Sequence, residues 1–323
     1  MKLLVLGGTK FLGRHAVDAA LAAGHDVTIF TRGQTNPDLF PEVEHLVGNR
    51  DGGLGALAGR TWDGVVDTSG YVPRLVRQSA ELLRDVAGRY VFVSSVSVYA
   101  DFSQPVDEGT AVAQLEDPAT EEILAHYGAL KAACETVIAE VYGDRGASVR
   151  AGLIVGPYDP TDRFTYWPRR VAAGGDVLAP GDPAAPVQFV DARDLAAWLV
   201  ALALEGPGGV FNATGPAEPL AFSELLERMR AAIGSDAHFV WVDDQPILDA
   251  GVEAWSELPL WLPGADYAGM ARTDTRRARE AGLRFRPLEE TVADTLAWDR
   301  TVDGDRPTLA REKEQEILDT AGG

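Results

Sequence analysis

The length, composition and charge of the chain decide its general class. Its 323 residues, 46% of them hydrophobic, predict about two domains or one large α/β unit with a sizeable core. The net charge of −20 repels phosphate backbones and anionic lipid headgroups, so we expect neither nucleic acid nor a membrane as a partner. A single cysteine, Cys134, excludes an internal disulfide, and the histidines lack metal-ligand spacing, so no structural metal is expected.

Apolar runs alternate with helical patterns through the first half of the chain. Strands are predicted at residues 2–6, 27–30, 43–47, 65–68, 90–93 and 149–155. Helices are predicted at residues 11–23, 73–86 and 120–141. Because this alternation is typical of parallel strands joined by crossover helices, the predicted fold class is α/β: a Rossmann, doubly wound parallel sheet with a smaller C-terminal substrate-binding cap.

The second half of the chain differs in composition. Its loops are rich in Pro and Asp, which indicates an irregular cap, while residues 186–204 repeat the strand-then-helix pattern of the first half. Its helix candidates lie at residues 222–233, 274–281 and 288–298. The charged end predicts a short solvated surface helix from Thr308 to near Leu318. The predicted units are a Rossmann domain of residues 1–157 and 186–215, a substrate-binding cap of residues 158–185 and 216–300, and a charged C-terminal tail of residues 301–323.

The apolar segments bear on where the protein works. In the first residues, MKLLVLGGTKFLGR, the apolar run ends at Gly7 and Gly8, too soon for a signal peptide. The longest apolar stretch, Leu195 to Leu204, is well short of the ~20 residues that span a bilayer. We therefore expect a cytoplasmic protein.

A glycine-rich turn lies between the first predicted strand and the first predicted helix. In such a turn the N–H groups at a helix N-terminus meet a pyrophosphate, and a last glycine lets the helix pack close to the strand. Many tight strand–helix turns are glycine-rich for packing alone, but the position of this one, opening the first βαβ unit, favours dinucleotide binding. The predicted cofactor-binding residues of the turn are Gly7, Gly8, Thr9, Lys10, Phe11, Leu12 and Gly13.

The end of the second predicted strand indicates which dinucleotide binds. An NAD site usually carries an acidic residue there for the adenosine ribose, whereas this chain has Thr31 and Arg32. A guanidinium beside a hydroxyl suits a 2′-phosphate, and Arg50, just past the third strand, adds positive charge. NADP is therefore preferred over NAD, with a solvated turn position for Arg32 as the alternative.

Tyr127 and Lys131 are four residues apart on the long helix predicted at 120–141. This spacing places both side chains on one helix face, so the Lys131 ammonium is predicted to lower the pKa of the Tyr127 phenol from ~10 toward working pH. Ser95, at the end of the fifth strand, is predicted at the mouth where doubly wound sheets bind ligands. A chance surface pair is the alternative, and the order of glycine turn, strands, serine and helix pair argues against it.

With these motifs in this order, the chain resembles the extended branch of the short-chain dehydrogenase/reductases, the NAD-dependent epimerase/dehydratase family. The resemblance implies that Ser95, Tyr127 and Lys131 are catalytic, that Ser95 also binds the reacting oxygen, and that Tyr127 and Lys131 also contact the cofactor. The segments GGTKFLGR, DTSGYVPR, SSVSVYAD and VGPYDPTDRFTYWPRR are similar to a reductase-like subgroup that resembles the chloroplast stem-loop-binding proteins. The further cofactor residues that it implies are Asn49, Thr68 and Ser69.

The chain departs from the family pattern at positions that bear on the reaction. Val96 and Ser97 stand where sugar-nucleotide dehydratases carry an acidic pair, so elimination is not expected. Val187 stands where nucleotide-sugar epimerases carry an arginine, and no asparagine follows Arg150, so a nucleotide-sugar substrate loses support. Lys10 replaces the middle glycine of the turn, so the approach of the cofactor there must differ.

The substrate wall is predicted from Tyr71, from residues 100–118 and from a segment that contains Arg163, Tyr166 and Trp167. Arg163 beside two aromatic rings suits a carboxylate or a polar ring. The alternative is that the aromatic residues of this segment pack the cap while Arg163 pairs with one of the many acids.

The predicted function is reversible hydride transfer between a nicotinamide cofactor and a carbonyl or carbinol carbon of a small polar substrate, with Tyr127 as the acid/base. Two alternatives stay open: an NAD(P)-dependent epimerase that works by transient oxidation, and a non-catalytic NADP-sensing or RNA-binding protein on the same fold. The net charge argues against RNA, and the intact set of Ser95, Tyr127 and Lys131 argues against loss of catalysis. Assembly as a homodimer is left open.

Overall fold

The structure, a computed structural model, describes residues 1–304 and 308–321. Its strands are β1 (Lys2–Leu6), β2 (Asp26–Thr31), β3 (Glu44–Val47), β4 (Trp62–Asp67), β5 (Ala87–Ser95), β6 (Gly146–Ala151), β7 (Ile154–Val155), β8 (Asp176–Pro180), β9 (Val190–Asp191), β10 (Gly209–Ala213) and β11 (His238–Val242). Its helices are α1 (Phe11–Ala22), α2 (Pro73–Leu83), α3 (Ile123–Tyr142), α4 (Tyr166–Ala172), α5 (Ala192–Leu204), α6 (Phe222–Ile233), α7 (Asp244–Asp249), α8 (Arg276–Glu280), α9 (Leu288–Asp299) and α10 (Arg311–Ala321). Among these described segments, no helix has the length and apolar character needed to span a membrane.

A seven-stranded parallel sheet forms the centre of the described chain, in the order β10-β6-β5-β4-β1-β2-β3. Its inner strands are apolar on both faces because helices cover both. On one face α1 and α5 pack through residues that include Val17 and Leu199. On the other face α2 and α3 pack through residues that include Val76 and Ile138. The predicted fold class, a Rossmann doubly wound parallel sheet, is confirmed.

The strand predicted at 149–155 is two strands with different partners. β6 belongs to the main sheet, whereas β7 pairs with β9 outside it. The chain leaves the sheet at Gly152, whose N–H donates to the carbonyl of Ala213 at 3.0 Å. A Cβ at Gly152 would collide with the Thr214 side chain, so the close approach of these two strand ends requires glycine.

The cap is built on a hydrophobic core of its own. β8 and β11 pair in parallel, and α4, α6 and α9 pack together beside them. Trp167, Phe222 and Leu226 lie fully or almost fully buried in this core. The chain pattern did not predict β8, β11 or α4, because each is short and lies between loops rich in Gly, Pro and Asp.

The helix predicted at the charged end is found as α10, but only one of its faces is solvated. α10 packs on the cap, and its Glu314 is only 1% exposed. The Glu314 carboxylate pairs with the buried guanidinium of Arg170 at 2.8 Å, while Ile317 and Leu318 join the apolar core of the cap. A buried ion pair and two apolar contacts therefore hold a segment that its charge pattern alone assigned to solvent. Residues 305–307 and 322–323 of the predicted tail lie outside the described residues.

Candidate active site

The glycine turn between β1 and α1 is shaped by close packing. Gly7 and Gly8 have φ angles of +117° and +96°, which side chains rarely permit. A Cβ at Gly13 would lie 2.5 Å from the backbone nitrogen of Gly8, so only glycine lets α1 approach the turn this closely. In the described chain no side chain caps α1 and no acidic residue lies in its first turn. The N–H groups at the start of α1 are therefore available to an anionic group.

The other residues of the turn divide by exposure. Thr9 and Leu12 are buried, and the Thr9 carbonyl accepts a hydrogen bond from Asn36 Nδ2 at 2.8 Å. Lys10 is exposed, and Phe11 is partly exposed with a φ of 39°. Leu12 packs into the core, so only its backbone can serve a bound dinucleotide.

Arg32 lies directly after β2 with an exposed side chain. Within residues 1–304 and 308–321 its guanidinium has neither an ion pair nor a hydrogen bond. The neighbouring Thr31 hydroxyl accepts the N–H of Gly33 at 3.1 Å and holds the turn. Asn49, which follows β3, is exposed as well, and its Oδ1 accepts the N–H of Asp51. The end of β2 thus presents an uncompensated positive charge to solvent.

Arg50 does not add to that charge, contrary to the prediction. Its Nη2 lies 2.6 Å from Oδ2 of Asp67, and its Nη1 lies 2.7 Å from Oδ1 of the same carboxylate. The guanidinium also donates to the Ser79 and Tyr90 hydroxyls. Because this bidentate pair neutralises Arg50, the residue stabilises the end of β4 and does not offer charge to a phosphate.

Thr68 and Ser69 extend from the end of β4 to the glycine turn. Their hydroxyls both donate to the carbonyl of Leu6, at 3.2 and 3.1 Å. A Cβ at Gly7 would collide with the Thr68 hydroxyl, which shows how closely the two segments meet. The structure therefore brings these two predicted cofactor residues to the wall of the turn.

Ser95 and Tyr127 meet at the carboxyl edge of the sheet. Ser95 ends β5, and its hydroxyl bonds both the backbone N–H and the hydroxyl of Ser97, at 3.1 and 3.0 Å. Tyr127 lies in α3, one residue after a helix kink at His126, and its phenol lies near the Ser95 hydroxyl. A Cβ at Gly128 would collide with the Ser97 carbonyl, so this glycine lets α3 approach the end of β5 and bring tyrosine to serine.

Lys131, one helical turn after Tyr127 in α3, is buried, with 3% of its surface exposed. Its Nζ donates to the carbonyls of Gly70 and Val93 at 2.7 and 2.6 Å and lies 4.9 Å from the centre of the Tyr71 ring. Burial lowers the pKa of Lys131 to about 8. An ammonium has three N–H donors, and the two carbonyls take two of them.

The pKa of Tyr127 lies above its ordinary value, opposite to the predicted direction. Burial raises it most, and the nearby Tyr71 phenol raises it further. The nearby Ser95 hydroxyl and the positive charge of Arg163 both lower it, but by less than burial raises it. The hydroxyl is therefore protonated at neutral pH and suited to donating a proton.

The predicted substrate segment separates into one candidate residue and two core residues. Arg163 is partly exposed, and its Cζ lies 5.8 Å from the centre of the Trp255 ring. Trp167 has no exposed surface, and its Nε1 donates to the Pro259 carbonyl at 2.8 Å. Tyr166 is buried beside it. The structure thus places Tyr166 and Trp167 in the cap core, as the packing alternative predicts.

A cavity of about 190 Å³ lies between the sheet edge and the cap. On the sheet side it is lined by Val96, Gly152 and Thr214, the residues that follow the ends of β5, β6 and β10 in this region. On the cap side it is lined by Trp255 and Trp261 among others. Ligands of doubly wound sheets bind outside the carboxyl ends of the strands, and this cavity lies there, next to Ser95.

Sequence comparisons assign this site to a family. The sequence model of the NAD dependent epimerase/dehydratase family matches residues 71–214. The 2′-dehydrokanamycin reductase of Streptomyces kanamyceticus is 30% identical over 249 residues, which cover 72% of this chain and 67% of that protein. The chain belongs to the NAD-dependent epimerase/dehydratase family. The predicted resemblance to the extended short-chain dehydrogenase/reductases is confirmed.

Other similar proteins show how far the likeness extends. The chloroplast stem-loop binding protein of 41 kDa b of Arabidopsis thaliana is 27% identical over 234 residues, 66% of this chain but only 58% of that protein. The UDP-glucuronic acid 4-epimerase of Bacillus cereus, solved in complex with NAD, matches 93% of this chain and 99% of its own at 17% identity and a TM-score of 0.64. The UDP-Glc/GlcNAc 4-epimerase of Campylobacter jejuni gives 15% identity, the same coverage and a TM-score of 0.67. These two structures show the shared fold.

Family membership supports an enzyme of the short-chain dehydrogenase/reductase type. The wall of the cavity also contains residues that the sequence motifs did not assign to the site. Thr214, Trp255 and Trp261 come from the sheet edge and from the irregular part of the cap. Thr214 directly follows β10, at the sheet edge where ligands of this fold bind. The two tryptophans lie in loops without a periodic pattern, so their position depends on the tertiary fold.

Proposed function

We propose that the chain is an NAD(P)-dependent oxidoreductase that transfers hydride reversibly between a nicotinamide cofactor and the carbonyl or carbinol carbon of a small substrate with a polar group. The observation that carries this proposal is the approach of Tyr127 to Ser95 at the sheet edge, with Lys131 buried one helical turn further along α3. An acid, an oxygen-binding hydroxyl and a cation at one strand end form the set that carbonyl reduction requires.

The residues of the glycine turn fit a dinucleotide. Gly7, Gly8 and Gly13 form a cradle that any Cβ would fill, at the uncapped start of α1. These residues would hold the pyrophosphate, and Thr68 and Ser69 line the adjoining wall. A bound nicotinamide supplies the carbon that gives or takes the hydride.

The chain's own residues move the proton. In reduction the Tyr127 hydroxyl donates its proton to the substrate oxygen, and in oxidation the phenolate removes it. The Ser95 hydroxyl donates a hydrogen bond to the same oxygen. Lys131 keeps its third N–H donor for the phenolate or for a ribose hydroxyl, and Arg163 adds positive charge near the phenol. An initial-rate assay of NADPH and NADH oxidation with small ketones tests the reaction directly.

We propose NADP as the preferred cofactor because Arg32 is exposed and unpaired where a 2′-phosphate would lie. We expect Arg32→Ala to reduce the NADPH over NADH affinity ratio by roughly ten- to a hundredfold, the range of a hydrogen bond to a charged group. Fluorescence titration with both cofactors measures the ratio. Arg60→Ala, which removes another guanidinium of the same domain, should leave the ratio unchanged. An unchanged ratio in Arg32→Ala would mean that this arginine is only a turn residue.

The lowered pKa of Lys131 predicts a pH dependence. Below about pH 8 the Lys131 side chain is a charged donor, and above it the amine is neutral. Because the pKa of Tyr127 is raised, tyrosine stays protonated through this range. We therefore expect kcat/KM for reduction to fall by roughly tenfold per pH unit above that value. A pH profile checks this, and in Lys131→Arg, whose charge persists, the fall should disappear. A flat wild-type profile through pH 10 would contradict it.

An epimerase that oxidises and re-reduces the same carbon is the second candidate. The matching family model includes epimerases in its description, and the Ser95 and Tyr127 pair serves that chemistry equally well. The two reactions differ in net cofactor consumption. An epimerase regenerates its cofactor in every cycle, whereas an oxidoreductase consumes it in proportion to product. Stoichiometric cofactor consumption would support the oxidoreductase.

A further inference from the structure

The charge of the cavity between the sheet edge and the cap restricts what it can bind. Its charged lining residues are Asp182 and Asp244, and no lysine, arginine or histidine of the described chain lines it. Val187, 3% exposed, closes part of its wall. An anionic diphosphate placed there would meet two carboxylates and no cation, which is unfavourable in a partly dry cavity.

The rest of the lining is apolar and aromatic. Its apolar side chains include Leu153, Val187, Trp255, Trp261 and Leu262. Several polar neighbours are already engaged within the protein. Asp244 accepts the Trp261 indole N–H at 2.7 Å, and the Gln188 amide exchanges two hydrogen bonds with the backbone of Thr273. A ligand in this cavity therefore gains from burying carbon surface more than from polar contacts.

One polar atom of the lining is without a partner. The Thr214 side chain is 2% exposed, and its hydroxyl has no hydrogen bond within the described residues. This oxygen packs against Gly152 and is closed off from the cavity space, so it offers a ligand no hydrogen bond. The size is equally restrictive, since 190 Å³ lies below the ~300–1,000 Å³ of ordinary ligand pockets.

We infer that the substrate has a compact apolar body, cyclic or branched, which carries neither a hydrogen-bonding group nor an anionic group into this cavity. The reacting carbon would lie at Ser95 and Tyr127, next to Val96 of the cavity wall, and the polar group of the substrate would lie at Arg163, beside Trp255. This inference rests on the proposed function, because it names the substrate class of the same site.

The test compares two ketones of similar shape, cyclohexanone and tetrahydropyran-4-one. The second has an ether oxygen at the ring position where the first has a methylene group. With the full chain and NADPH present, we expect cyclohexanone to bind and react roughly tenfold better, because the oxygen would lose its hydration without a partner. Turnover is measured by cofactor oxidation, and binding is measured separately by tryptophan fluorescence, since Trp255 and Trp261 line the cavity. UDP-glucose should not compete with either ketone.

Two variants and one control assign the effect to the cavity. Val187→Asp and the less buried Leu262→Asp should each reduce the preference for cyclohexanone to near unity. Leu82→Asp, an equal change at an exposed leucine of α2, should keep it. Equal binding of the two ketones, or competition by UDP-glucose, would overturn the inference. Selective binding without hydride transfer to either ketone would support the inference on the cavity and overturn the proposed reaction.

Discussion

Replacing Tyr127 by phenylalanine should reduce kcat by roughly 10²–10⁴-fold, the usual contribution of one general acid. The change removes the hydroxyl near Ser95 and leaves the ring, whose centre lies 6.4 Å from the centre of the Tyr71 ring. Because the ring stays, cofactor affinity should change by no more than a few-fold. Single-turnover rates and a cofactor titration of the same preparation separate the two quantities.

Two further variants serve as comparisons for Tyr127→Phe. Tyr71→Phe makes the same chemical change on the neighbouring ring, which is 42% exposed, and should reduce kcat far less than Tyr127→Phe because its hydroxyl donates no proton in the proposed mechanism. Lys131→Met should weaken both turnover and cofactor binding, because its ammonium serves both in the proposed mechanism. If Tyr127→Phe turned over at the wild-type rate, Tyr127 could not be the acid, and the proton would have to come from elsewhere.

The Rossmann part of the fold could be predicted from the chain pattern because its elements are long, periodic and consecutive. The helix predicted at 11–23 is found as α1, and the strand predicted at 2–6 is found as β1. The prediction was weakest where an element is short or where tertiary contacts decide the outcome. β7 pairs outside the main sheet, and α10 is buried by an ion pair with a distant arginine.

The candidate site could be predicted in part, because motif spacing identifies which residues approach one another and not what each of them bonds. Ser95 and Tyr127 do meet at the sheet edge. Arg50, by contrast, pairs with Asp67, 17 positions along the chain, and no local pattern reveals that contact. Trp167 was suspected of binding substrate because an aromatic residue near an arginine suits both a site and a core, and only burial distinguishes them.

Arg163 is the charged residue whose role the structure changes most. The motifs assigned the task of lowering the pKa of Tyr127 to Lys131, yet the Lys131 ammonium is bound to two carbonyls. Arg163 contributes positive charge that lowers the pKa of Tyr127 against the effect of burial. Its own side chain is held near Trp255 and remains partly exposed, so it can also meet a polar group of the substrate.

Arg163→Ala should therefore change both substrate binding and the pKa of Tyr127. Loss of a guanidinium that pairs with a substrate group costs about 2 kcal/mol or more, so kcat/KM should fall by roughly thirtyfold or more. Without the positive charge the pKa of Tyr127 rises further, so the pH profile of alcohol oxidation, which needs the phenolate, should move to higher pH. Arg163→Lys should bring the pH profile back toward that of the wild type but restore KM less, because a lysine keeps the positive charge and lacks the planar array of guanidinium N–H donors. Arg228→Ala, on the surface of the cap, is the matched control and should change neither quantity. A wild-type KM together with an unshifted profile in Arg163→Ala would show that this arginine only packs on Trp255.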